Sequence, residues 1–360
     1  MRSFIALNGI AILAVVANHA ASWGYTAMFW WTDSYRPVAV PNYDQMGSMP
    51  YYLLLFFKQI TVFSVPAFLF VTGFFLAYTN RGSQEMLDGR VIGKRITALL
   101  IPYLVWSLVI FLGDFLQGIT YPLSVYGKKL LLGGASPPYY YIPLIIQFWL
   151  ISPWIVRYAK KRWNSLLIIT GLIALVIVFY NYTRLVVGGS PFPGWLFPGL
   201  VFFFSLGSVT GFRLQQVVGY LSGYRRPILV FLVLFAILAT VEPEVIFQVT
   251  GQNWKGGILT LSTYMYAIFF LLWFLSSKLF ALKNPYWIIF LGRNSYGIYL
   301  MHPMLLEFFA RFTHRLLPGM LAFQFLFLPL LIVFAVGVSL LIMRLFTQPP
   351  LRKSYRYLFG

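Results

Sequence analysis

Apolar positions along this chain fall in long runs, separated by short stretches rich in basic, glycine and proline residues. Each run is close to the ~20 residues that a helix needs to cross a hydrocarbon core of roughly 30 Å. The pattern predicts ten spans, over 4–22, 52–79, 96–116, 138–157, 165–183, 195–213, 227–242, 257–276, 286–309 and 321–345. Turns rich in glycine and proline punctuate them, as in GGASPP at 133–138, GGSPFPG at 188–194 and TQPP at 347–350. A membrane β-barrel would show short alternating segments instead, and none is visible. The expectation is an all-α, polytopic membrane helical bundle of about ten transmembrane helices.

Composition supports that reading. Charged residues make up 10% of the chain and hydrophobic ones 60%, whereas a soluble domain carries about a quarter charged. A net charge of +19 would suggest nucleic acid if it were gathered on one polar module. It is spread over the loops instead, so a nucleic-acid partner is not expected. Ten spans put both termini on one side, where eighteen of the 27 basic residues then fall, against eight on the other. By the positive-inside bias the termini are cytoplasmic, as in a multi-pass protein of a bacterial-type plasma membrane. Residues 1–346 are expected to form one integral-membrane domain and 347–360 a short basic cytoplasmic tail. The first run has the look of a signal peptide, but His19 just before the would-be cleavage site favours a retained span. No internal repeat of the transporter kind is visible. The absence of cysteine excludes disulfides, thiolate metal ligands and a cysteine nucleophile, and no metal site is expected.

The chemistry rests on a few polar residues inside apolar runs. Only three histidines occur, and two of them, His19 and His302, lie in predicted spans. An ionisable side chain costs at least a few kcal/mol in a bilayer, which makes both functional candidates. At 1.5 Å rise per residue, His19 lies roughly 22 Å and His302 roughly 24 Å from the inner ends of their spans. Both imidazoles thus belong to the outer half of the membrane, with Asp114 near the outer end of the third span. Toward the inner side stand Asn8, Lys94, Arg95 and Arg293, and arginine forks suit phosphate. This polarity predicts a phosphate-bearing ligand held from the cytoplasm and chemistry nearer the outside. Plainer roles compete at each position: hydrogen bonding between helices for the histidines, topology anchoring for Lys94 and Arg95, and an interfacial carboxylate at Asp114. The aromatic loop over 23–51, with Trp23, Trp30 and Trp31, reads as an interfacial belt or as a stacking platform for a sugar.

Five motifs in order give the chain a family resemblance. GIAILAVVANHA (9–20), SVPAFLFVTGFFLAY (64–78), KRITALLIPYLVWS (94–107), YYYIPLIIQFWLISP (139–153) and LGRNSYGIYLMHP (291–303) resemble those of the membrane-bound acyltransferase family 3, the polysaccharide O-acetylases and their relatives. In the second motif Thr72, Gly73 and Phe74 stand where the family usually has Ser-Gly-Phe. The family also has an arginine eleven positions before the first-span histidine, and this chain has Asn8 there.

The resemblance implies an O-acyltransferase without a permanently bound cofactor. Its donor is acyl-CoA, in the first place acetyl-CoA, with its phosphates near Lys94, Arg95 and Arg293. His19 acts as general base and His302 orients it or relays the proton. Thr72, Ser295, Tyr296 and Tyr299 are candidates to hold the thioester carbonyl. The acceptor is a hydroxyl of a cell-envelope glycan, a lipid or an exported metabolite. Two other readings stand beside it: a transporter or flippase of a lipid-linked or small polar molecule, and a catalytically altered family member, because an amide at position 8 hydrogen-bonds but carries no charge.

Overall fold

The computed structural model describes residues 1–82, 88–251, 259–277 and 285–360. Apolar runs become helices because, without water, every backbone N–H and C=O must find its partner inside the segment. The helices are α1 (Arg2–Phe29), α2 (Met49–Ile60), α3 (Ser64–Thr79), α4 (Gly89–Leu116), α5 (Leu123–Leu132), α6 (Tyr141–Lys161) and α7 (Trp163–Val187). They continue with α8 (Val201–Ser222), α9 (Arg225–Thr250), α10 (Leu261–Ser276), α11 (Tyr286–Arg293), α12 (Ser295–Leu316), α13 (Gln324–Phe346) and α14 (Tyr355–Phe359). No strand occurs among the described residues. Among the described residues eight segments, with α2 and α3 together counted as one, are long and apolar enough to cross a membrane. The 16-residue α10 is a shorter apolar helix; positions 257 and 258 of its predicted span lie outside the described residues.

Two predicted spans are broken. The span expected over 52–79 is α2 and α3, separated by a turn at Thr61–Phe63 in which Val62 N–H donates to Gln59 O and Ser64 N–H to Thr61 O. The span expected over 286–309 becomes α11 and the longer α12, interrupted at Asn294 (φ −101°, ψ 8°). Non-helical backbone at membrane depth is tolerated where protein covers it or where it lines a cavity. Both breaks flank the site described below. The helix α5 was not among the expected elements.

The first helix is the axis of the molecule. Phe4, Leu7, Ala11 and Ala14 belong to a core shared with α3, α6, α8 and α10. Ile12, Val15, Val16 and Ala20 belong to a second core shared with α4, α12 and α13. Close approach is made by small residues. Gly9 of α1 faces the backbone of Ile288 and Gly292, and Gly207 of α8 faces the carbonyl of Phe70 on α3, so a Cβ at either position would strike main chain. Helices in lipid associate through such contacts, because lipid tails leave no hydrophobic force between them.

The segment expected as a tail folds back on the bundle. Phe359 is 4% exposed, and the indole N–H of Trp106 donates to Leu358 O at 2.9 Å. Arg352, Lys353 and Arg356 point outward from this short turn of chain.

Candidate functional site

Helix α1 carries His19 upward and α12 carries His302 to the same level. The two imidazoles face each other with ring centroids 5.4 Å apart and planes inclined at 44°. His302 is fully buried. Its Nδ1 lies 2.7 Å from Tyr299 O. A carbonyl only accepts, so this contact assigns the hydrogen to Nδ1 and leaves Nε2 with its lone pair. That Nε2 is buried and has no hydrogen-bond partner among the described residues. His19 is half-buried, so the pair has one closed member and one approachable member.

A cation missed by the sequence reading completes this centre. Lys58 counted there among the outer-side basic residues, but the break after α2 turns it into the bundle. Its Nζ donates to Ser22 Oγ on α1 at 3.1 Å, one turn beyond His19, and its charge bears on the His19 imidazole. The neighbouring Asn18 fixes the same turn by donating to Lys58 O at 2.8 Å and Thr61 Oγ1 at 3.0 Å. The only ion pair among the described residues joins Arg311 to Glu307, so Lys58 has no carboxylate partner there. The available signal was the lysine's position seven residues inside a predicted span.

Below the histidines lies a cavity of about 190 Å³, lined by Asn8, Phe68, Thr72, Tyr141, Trp149 and the Ser295–Tyr296–Tyr299 edge of α12. Five residues singled out from the sequence, Asn8, Thr72, Ser295, Tyr296 and Tyr299, therefore meet in one space. Tyr299 links it to the imidazoles, its ring centroid 5.9 Å from that of His302. Two polar atoms at this cavity, Asn8 Oδ1 and Trp149 Nε1, are buried without partners among the described residues. The first accepts and the second donates. Buried polar atoms are nearly always paired, so two orphans in one cavity call for a ligand that carries both functions.

Several expected roles change. The phenol of Tyr296 donates to Leu99 O and that of Tyr299 to Pro138 O. A phenol has a single O–H, so neither can also donate to a reacting carbonyl, as the sequence reading allowed. The Thr72 hydroxyl is likewise directed at Phe68 O, 2.8 Å away. Arg95 is at the cavity edge, its guanidinium 4.6 Å from the Trp149 ring. Lys94 and Arg293 are exposed and away from the cavity lining.

Asp114 does not join the histidines. It lines a groove of about 610 Å³ with Glu307, Arg311 and Arg315 of α12. Nine residues separate His302 from Arg311, two and a half helical turns, so the groove lies on the opposite face of that helix. The aromatic cluster beyond the C-terminal part of α1 is also assembled, with Trp23 5.5 Å from Trp31 and Trp31 stacked on His314 at 4.4 Å.

A bundle of apolar helices enclosing paired imidazoles above a cavity is the layout expected of a membrane acyltransferase. Comparison with known proteins agrees: the family model described as an acyltransferase domain matches residues 2–344, and the chain belongs to that family. Among curated proteins, the chain is 22% identical over 311 residues to a Staphylococcus aureus (strain MRSA252) protein named "Probable poly-beta-1,6-N-acetyl-D-glucosamine export protein". That alignment covers 84% of this chain and 85% of the relative. A Staphylococcus epidermidis protein of the same name is 21% identical over 319 residues, covering 83% of each. No solved structure matches the chain.

Proposed function

We propose that this protein transfers an acyl group, in the first place acetyl, from an acyl-coenzyme A entering at the face that holds the N-terminus. The acceptor is a hydroxyl of a cell-envelope glycan, a lipid or an exported metabolite reached from the opposite face. The observation that carries the reading is the His19–His302 pair, 5.4 Å apart inside an apolar bundle and directly above a cavity with unpaired polar atoms. Two imidazoles held by different helices exceed what helix packing needs.

Each residue then has a task. His19, the approachable imidazole, takes the proton from the acceptor hydroxyl as the oxygen attacks the thioester carbonyl. The oxyanion of the tetrahedral intermediate is stabilised by the Lys58 ammonium, which has no carboxylate of its own. Collapse breaks the carbon–sulfur bond, and the departing thiolate takes the proton back from His19. His302, its ring centroid 5.4 Å from that of His19, orients the base or relays the proton. Asn8 and Trp149 satisfy an amide of the pantetheine arm, whose C=O and N–H match the indole donor and the side-chain acceptor. The second pantetheine amide lies eight bonds from sulfur, about 10 Å at the advance per bond of an extended peptide. Asn8 lies eleven residues below His19 on the same face of α1, about 16 Å, so the two lengths agree once the reacting contact is added. An amide at position 8 is therefore suited to this task, whereas the resemblance led one to expect a guanidinium.

The name shared by the relatives supports a second reading, in which the same cavity exports a glycan without modifying it. One assay separates the two. Purified protein in nanodiscs receives labelled acetyl-CoA and β-1,6-linked N-acetylglucosamine oligomers containing free glucosamine, and release of free coenzyme A and labelling of the glycan are followed. Acyl transfer that disappears in His19→Ala supports the proposal. Equal transfer by wild type and His19→Ala sinks the general-base role, and glycan movement without any coenzyme A release favours export alone.

A further inference from the structure

A second polar site lies on the face that holds the N-terminus, outside the cavity and absent from the sequence reading. Three cations from three elements converge there: Arg81 just past α3, Lys160 at the end of α6 and Arg213 in α8. They line a depression of about 540 Å³ together with Gln215 and Gln216. Among the described residues the lining contains no carboxylate.

The two arginines are held in place rather than solvated at random. Arg81 donates through Nε to Gly211 O at 2.7 Å and stacks on Tyr78 with 4.4 Å to the ring centroid. Arg213 donates to Ala159 O at 2.8 Å and Lys160 O at 3.1 Å. Its backbone leaves the helical region (φ −121°, ψ 29°) inside α8, which places the guanidinium against the end of α6. Each fork is anchored along one edge, and its other N–H groups have no acceptor among the described residues, which leaves them to face a ligand. Fixed guanidinium forks beside an ammonium match the oxygens of a phosphate group.

The depth of this site selects which phosphate. Phe4 of α1 stacks on Phe74 of α3 at 3.7 Å, which aligns the two antiparallel helices. His19 lies fifteen residues above that level and Arg81 seven residues below it, about 33 Å apart along the bundle at 1.5 Å per residue. In coenzyme A the first phosphorus is 13 bonds from sulfur and the 3′-phosphorus is 21 bonds from it. At the advance per bond of an extended chain these are about 15 Å and about 25 Å. With the acyl carbon in contact with His19, only the 3′-phosphate comes near the arginine level, while the diphosphate stays at the cavity mouth beside Arg95.

We infer that Arg81, Lys160 and Arg213 form a phosphate-monoester site that takes the 3′-phosphate of the coenzyme A donor. This rests on the acyl-CoA reading above. It moves the outermost donor contact away from Lys94 and Arg293. The same chemistry would serve an anionic lipid headgroup, and the experiment separates the two sources.

Wild type and an Arg81→Gln/Lys160→Gln double variant are reconstituted in phosphatidylcholine nanodiscs. Dissociation constants for coenzyme A, 3′-dephospho-coenzyme A and pantetheine are measured by calorimetry, with thermal unfolding as the control for folding. Wild type is expected to bind coenzyme A at least about tenfold more tightly than the dephospho form. That ratio should fall to near one in the double variant, while dephospho-coenzyme A binds both proteins equally. Equal binding of the two ligands by wild type, or a ratio that survives in the double variant, overturns the inference while leaving the acyl-CoA reading intact. Failure of wild type to bind all three ligands overturns the acyl-CoA reading itself. A parallel titration in phosphatidylglycerol nanodiscs completes the test. Retention of anionic lipid that depends on Arg81 and Lys160, without discrimination between the two coenzymes, overturns the assignment to the donor in favour of lipid.

Discussion

Two polar clusters are embedded among these apolar helices, and they are finished to different degrees. Where α7, α9 and α10 meet, the Glu242 carboxylate accepts from both the Tyr182 phenol and the Ser262 hydroxyl. The Tyr182 oxygen in turn accepts from Leu261 N–H at 3.0 Å. Its neighbour Glu244 accepts from Tyr51 of α2 at 2.9 Å and from Gln248 at 2.9 Å. Each of the four carboxylate oxygens in this cluster has a donor, and four helices are tied together by the result. The imidazole centre is the reverse: His302 Nε2 has no partner, and Lys58 has a hydroxyl but no carboxylate among the described residues. A satisfied polar network rigidifies a fold, whereas a half-satisfied one is costly unless something else completes it. The acidic cluster is therefore a fastener, and in the proposed function a substrate completes the imidazole centre.

The sharpest way to break that distinction is at His19. His19→Ala should lower acyl transfer by about 10²–10⁴-fold, the range that a positioned general base contributes, with little change in the unfolding midpoint. Coenzyme A release checks the first and a thermal melt in detergent the second. A large loss of stability with modest loss of rate would make His19 a packing residue.

Lys58→Gln comes next. Removing one donor to a developing oxyanion costs about 10²–10³ in kcat, and the effect should fall on kcat while KM for acetyl-CoA stays within a factor of two. Partial recovery in Lys58→Arg would show that charge, and not only the Ser22 contact, is what matters. A change confined to KM would place Lys58 in ground-state binding.

Asn8→Ala should act on the donor alone. Loss of one ordinary hydrogen bond is worth about 0.5–1.5 kcal/mol, so KM for acetyl-CoA should rise between about twofold and about tenfold with kcat preserved. Acetyl-pantetheine, which keeps the amides, should show the same shift. Steady-state kinetics with both donors would reveal whether the orphan acceptor serves the pantetheine arm or a more distant part of the molecule.

Much of this arrangement was readable beforehand, for reasons that also mark where reading stopped. Helix positions follow from hydropathy because the bilayer enforces one length scale, and the shared depth of His19 and His302 follows from helical rise alone. The break at Thr61–Phe63 was hidden because TVF contains neither glycine nor proline, and Lys58 was misplaced with it. Tyr296 and Tyr299 looked available because their acceptors, Leu99 O and Pro138 O, are backbone atoms far away in sequence. Asp114 was matched to the histidines by depth, but depth does not report which face of α12 it meets. Arg81, Lys160 and Arg213 converge only through the packing of α3 and α6 on α8, which no local pattern encodes.

The smallest expected effect on activity belongs to the other cluster. Glu242→Gln keeps the shape of the side chain but replaces one acceptor oxygen by an amide that donates, facing hydroxyls that already donate to the carboxylate. Tyr182 or Ser262 must then turn or lose its partner, which costs about 1–3 kcal/mol for a buried group left unsatisfied. The unfolding midpoint should drop while kcat and KM stay within about twofold, because no atom of this cluster reaches the cavity or the imidazoles. A variant that unfolds normally yet loses acyl transfer would overturn the division drawn above and make the acidic cluster part of the path by which the acceptor arrives. Pairing state thus divides the two clusters: Glu242 and Glu244 have a donor for every carboxylate oxygen and fasten helices, whereas in the proposed function the open valences around His19, His302 and Lys58 are filled by the reacting groups.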